Sequence, residues 1–99
     1  VVSIDSDRTF LNTDAAKLIR LFGSTNRTWM IPPNVFQIGT AIPLRSYSTG
    51  SLTIARGAGV TLTAPGTNTN SNKTLASFGF ATLIQEDTNI WLLSGVGVS

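Results

Sequence analysis

Cysteine and histidine are both absent from this chain, and only five residues are acidic. Without thiol or imidazole there is no thiolate or imidazole metal site, no cysteine nucleophile, no Ser-His-Asp triad, no haem ligation by those groups and no disulfide. Charge of either sign is scarce, at 12% of residues and a net charge of +2. The seven cations, Arg8, Lys17, Arg20, Arg27, Arg45, Arg56 and Lys73, are scattered along the chain. A nucleic-acid footprint requires them clustered, so no nucleic-acid partner is expected. Long hydrophobic runs are missing too. The longest uncharged stretch, Thr28 to Leu44, contains Pro32-Pro33, Asn34 and Gln37, and reads as two strands around a turn and not as a membrane span. The opening VVSIDSDRTF lacks the basic and then apolar regions of a signal peptide. No membrane partner is expected.

Neutral polarity takes the place of charge. Ser, Thr and Asn supply 31 of the 99 residues, and Val, Ile and Thr supply 28, which is a β composition. At this length folding hides only about 64% of the unfolded surface, so the core is thin and stability is expected to be shared with partner subunits. The pattern fits one domain spanning residues 1–99, and the opening valine in place of methionine leads us to expect a longer or N-terminally trimmed polypeptide.

Periodicity places strands at Arg27 to Ile31, stopped by Pro32-Pro33, and at Val35 to Ile42, with Gly39 as a bulge. Others fall at Leu52 to Ala55 and at Val60 to Thr63, where Val60 and Leu62 point inward. Leu75 to Gln85 and Ile90 to Leu93 form a hairpin around Asp87-Thr88-Asn89. Asn12 to Gly23 satisfies the local rules for a helix, but its β surroundings favour a turn followed by a strand from Lys17 to Phe22. No internal repeat is evident. The expected fold class is all-β: a compact sandwich or barrel of about eight short, mainly antiparallel strands.

Candidate contact residues are few. Trp29 and Tyr47 could stack on a sugar ring, although for Trp29 a place in the core or a subunit interface is favoured over ligand contact, whereas Trp91 sits among Ile90, Leu92 and Leu93 as a core residue. The loop at 65–74 has no apolar anchor and is either a connector or a contact element; its amides Asn68, Asn70 and Asn72 could reach a partner. Asp5 and Asp7 share a strand face, but two carboxylates fall short of a calcium shell. No metal, cofactor or catalytic residue is assigned.

Several short stretches occur in a particular order: Thr13-Asp14-Ala15-Ala16-Lys17-Leu18-Ile19-Arg20, Trp29 to Pro32, Ile38-Gly39-Thr40, Gly57-Ala58-Gly59-Val60-Thr61-Leu62, Phe78 to Ile84 and Trp91-Leu92-Leu93-Ser94-Gly95. Together, from about Thr9 to Gly95, they resemble a small all-β module of tailed-bacteriophage virion proteins, found in the C-terminal domains of capsid decoration proteins, head fibres and tail fibres. Ala16 stands where that module's Asp-Ala-Gly-Lys turn carries glycine. The resemblance implies a non-enzymatic virion structural protein, assembled in the host bacterial cytoplasm, commonly a homotrimer, that decorates or projects from the capsid. The alternative it implies is a tail-fibre tip recognising a bacterial surface glycan. It also implies that Ser99 is a natural end and Val1 is not.

With no imidazole, no thiol and no convergent carboxylates, the purified domain is expected to show no turnover of polysaccharide, peptidoglycan or ester substrates. Hydrolysis abolished by replacing any of Asp5, Asp7, Asp14, Glu86 or Asp87 would contradict this.

Overall fold

The computed structural model describes residues 2–15, 17–66 and 68–98; Val1, Ala16, Thr67 and Ser99, and with them the Ala16 departure and the two chain ends, lie outside the described residues. Period-2 alternation, cut by glycine, proline and Asn/Asp turns, produces nine strands among the described residues: β1 (Val2–Ile4), β2 (Arg8–Thr9), β3 (Ile19–Leu21), β4 (Arg27–Ile31), β5 (Ala41–Ser46), β6 (Leu52–Arg56), β7 (Thr61–Thr63), β8 (Lys73–Asp87) and β9 (Ile90–Val98). A single turn of 3-10 helix at Asn12–Asp14 precedes β3, so the ambiguous segment is a turn and then a strand. The protein is all-β and compact, with a Cα radius of gyration of 12.1 Å.

The strands are arranged differently from the expected sandwich or barrel of mainly antiparallel pairs. The chain coils, and alternate strands fall into two limbs. One limb stacks β1, β3 and β5 in parallel, and the other stacks β2, β4 and β6 in parallel. This is a small solenoid, in which each coil adds one strand to each limb. Between the second and third coils Ile19 lies opposite Leu44 and Arg27 opposite Leu52, a displacement of 25 residues in both limbs. An internal repeat therefore exists where none is evident from the sequence, because it fixes position on the coil and only a few side-chain types. The first coil is shorter, with Val2 opposite Ile19 and Arg8 opposite Trp29.

Strand β8 closes the coil. Its first residues, Lys73 to Leu75, pair antiparallel with β6, and Phe80 to Ile84 pair antiparallel with β5, so one strand joins both limbs. It bends between these stretches, where Phe78 has φ 61° and the register with β9 shifts. Glycine is required beside the bend: a side chain on Gly95 would collide with the Phe80 carbonyl and the Ala81 backbone. The expected β8–β9 hairpin is present, and β7 adds to β9 in parallel.

Val35 to Ile42 is not a continuous strand. Asn34 and Gly39 take positive φ, Val35 and Ile38 are exposed, and pairing starts only at Ala41. Between Val35 and Thr40, Phe36 alone turns inward, meeting Trp91 edge to face at 5.4 Å.

Alternation along both limbs sends Ile19, Leu21, Ile42 and Leu44 from one side and Trp29, Ile31, Leu52 and Ile54 from the other into a single core. Trp29 is 0% exposed, meets Phe10 edge to face at 5.9 Å and donates its indole N–H to the Ser6 carbonyl at 3.0 Å. Trp91 fills the closing end of the same core, as expected. Replacing it with alanine should cost about 3–5 kcal/mol. Most of the stability of so small a domain would go, and chemical denaturation of Trp91→Ala against the native chain measures it.

Candidate functional site

The five carboxylates are dispersed. Asp14 is buried and accepts a hydrogen bond from Arg8 Nη2 at 2.6 Å and another from the Leu11 N–H at 2.8 Å, which ties down the corner after β2. Asp5 pairs with Arg27 at 3.4 Å, and Asp7 accepts from the Thr28 N–H at 2.8 Å. Asp7 thus caps the entry to β4, and the shared strand face expected for the two does not form, because β1 ends at Ile4. Glu86 and Asp87 are exposed at the hairpin turn. Among the described residues no three acidic side chains gather as a metal site.

The predicted contact residues separate into two groups. Trp29 belongs to the core, so its role as a ligand or interface contact is withdrawn: a fully buried ring presents no face. Asn70 and Asn72 serve the chain's own backbone. Asn70 Oδ1 accepts from the Leu62 N–H at 2.9 Å, and Asn72 Oδ1 accepts from the Arg56 N–H at 2.9 Å and from its Nε–H at 3.2 Å. Lys73, 5% exposed, donates to the Thr69 carbonyl and to Ser71 Oγ, so the loop is anchored by polar groups in place of apolar ones. Asn68 is exposed on that loop.

Tyr47 lies exposed among arginine and aromatic side chains. It follows β5 on the outer face of the first limb, where its ring stacks on that of Phe22 at 5.2 Å with 11° between planes. The register that sets Ile19 against Leu44 also sets Arg20 beside Arg45. Arg45 Cζ lies 4.8 Å from the Tyr47 centroid, and Arg20 Cζ lies 5.2 Å from that of Phe22 and 5.9 Å from that of Tyr47, within cation–π range. Phe80, the partner of Arg45 on β8, is 44% exposed, and its own partner Val96 is 80% exposed. Arg20, Phe22, Arg45 and Phe80 carry no individual mark in the sequence. The available signal is the recurrence of Arg-x-aromatic at Arg20-Leu21-Phe22 and Arg45-Ser46-Tyr47, one coil apart.

The outer face of the second limb has the opposite character. Thr28, Thr53 and Thr74 form one row across β4, β6 and β8, and Thr9, Met30 and Ala55 form the next across β2, β4 and β6. Neither row contains a charge.

Comparison with known protein families, curated proteins and solved structures gave no match.

The amide contacts tie the loop to strands of its own chain. Asn72→Ala leaves the Arg56 N–H without its acceptor and should lower stability by about 1 kcal/mol. A chain unchanged in melting temperature would return Asn72 to the list of partner contacts.

Proposed function

We propose that this chain is a non-enzymatic structural module that works by non-covalent assembly and, on the resemblance of its ordered motifs, belongs to a tailed-phage virion, where it decorates or projects from the capsid as a homotrimer. The observation that carries the reading is the charge-free outer face of the second limb. Stacked parallel strands present Thr, Ala and Met in straight rows, and burying such a face removes apolar and hydroxyl surface without desolvating any ion. The carboxylates, by contrast, are spent on capping and pairing within the chain or left in a solvated turn, so no acid–base pair is free to act on a substrate.

The strand Thr28 to Ile31 contributes to this face through Thr28 and Met30, while Trp29 and Ile31 point into the core. An interface built here is mainly neutral and little affected by salt. Closed three-fold symmetry would also cover the open edges of β1 and β2, which pair on one side only among the described residues.

Native mass spectrometry of the soluble domain is expected to give a trimer, and purified domain is expected to attach stoichiometrically to mature capsids. Met30→Glu with Thr53→Glu places charge on both rows without touching the core, and should yield folded monomers. A native chain that is monomeric at micromolar concentration, with a melting temperature independent of concentration, would overturn the assembly reading.

A further inference from the structure

The outer face of the first limb lies apart from the proposed assembly face and carries different chemistry. Neighbouring strands are about 4.8 Å apart, so Arg20 and Arg45 hold two positive charges side by side, an arrangement that destabilises a sheet unless an anion lies between them. The described residues supply none. Among the described residues the ion pairs are Arg8 with Asp14 and Arg27 with Asp5. Arg20 spends one Nη2 contact on Ser3 Oγ at 3.1 Å, and the Nε–H groups of both Arg20 and Arg45 are buried with no acceptor. The stacked rings of Phe22 and Tyr47 hold the two guanidinium planes in place, which lowers the entropy lost when an anion docks.

We propose that this ladder binds a carboxylated polysaccharide. A carboxylate bridges Arg20 and Arg45, and the apolar face of the sugar ring that bears it lies against Phe80 and the exposed part of Tyr47. Guanidinium forks match a carboxylate in two parallel hydrogen bonds, and an adjoining aromatic surface takes the C–H face of a pyranose. The exposed ring of Phe80 beside the cations favours a sugar over an acidic peptide, which needs only the charges.

Isothermal titration calorimetry with oligogalacturonate, alginate oligomers and polysialic acid tests the proposal, with methyl-esterified oligogalacturonate as the uncharged control. At least one acidic oligomer should bind, and the ester should not. Arg45→Gln should weaken binding by about tenfold or more, and the Arg20→Gln, Arg45→Gln pair should abolish it. Arg45→Lys keeps the charge but loses the fork; it should also weaken binding while melting as the native chain does, which guards against a folding defect in the paired variant. Arg56→Gln, an equal loss of charge on the other limb, should bind normally, and Phe80→Ala should weaken binding. No binding by any of the three acidic oligomers would overturn the site. So would an equal loss in Arg56→Gln, or polyglutamate that binds as tightly as the sugars and is indifferent to Phe80→Ala.

Discussion

Everything in this fold depends on how the last rung of the coil is closed. Parallel strands satisfy one another's backbone groups only along the stack, so β5 and β6 would each end their limb with an open row of N–H and C=O groups. One strand serves both, since Lys73 to Leu75 take up β6 and Phe80 to Ile84 take up β5. To do this β8 must turn out of one limb and into the other within a few residues, and Phe78 at φ 61° with the register shift beside it marks the place. Ser77 Oγ secures the bend by donating to the Thr49 carbonyl at 2.9 Å, on the corner that joins β5 to β6. With the limbs held together, Trp29 and Trp91 are sealed in one core; without that closure the two sheets would share no strand.

A coil closed in this way has an interior and two outer faces, and the sequence treats each differently. The interior takes most of the leucine and isoleucine side chains and both tryptophans. The second limb's outer face keeps rows of threonine, methionine and alanine without a charge. Its counterpart on the first limb gathers arginine and aromatic rings, and among the described residues no carboxylate pairs with Arg20 or Arg45. One displacement of 25 residues underlies the two adjoining rungs of each limb, so Arg20 meets Arg45 on one and Thr28 meets Thr53 on the other. The corners repeat as well: the Arg27 N–H donates to the Ser51 carbonyl, and the Ser51 N–H to Asn26 Oδ1.

Much of the local structure is legible from residue order. Pro32-Pro33 ends β4, the alternation in Leu52 to Ala55 and Val60 to Thr63 marks β6 and β7, and Asp87-Thr88-Asn89 turns β8 into β9. Trp91 is recognisably a core residue from its apolar neighbours. Trp29 is harder to place, because Thr28 and Met30 beside it belong to an outer row and the strand alone does not show which face is covered. Asn70 and Asn72 mislead for a related reason. An exposed amide in a polar loop looks available until the strand edge it caps is brought against it. Tyr47 alone of the predicted residues lies in the cationic patch, and its companions come from positions with no sequence neighbourhood in common.

The sequence by itself determined the β class, the ends of most strands, the inward or outward sense of alternate residues, and the absence of thiol and imidazole chemistry. These follow from backbone stereochemistry, side-chain shape and composition, which act over a few residues or over none. Only the tertiary structure decided that the limbs stack in parallel, that β8 belongs to both, and that Arg20 lies beside Arg45. Hydrogen bonds between strands join backbone groups that are the same in every residue, so a strand carries little record of which neighbour it will take. That choice rests on the coil as a whole, through corner lengths, core volume and the one strand that closes it.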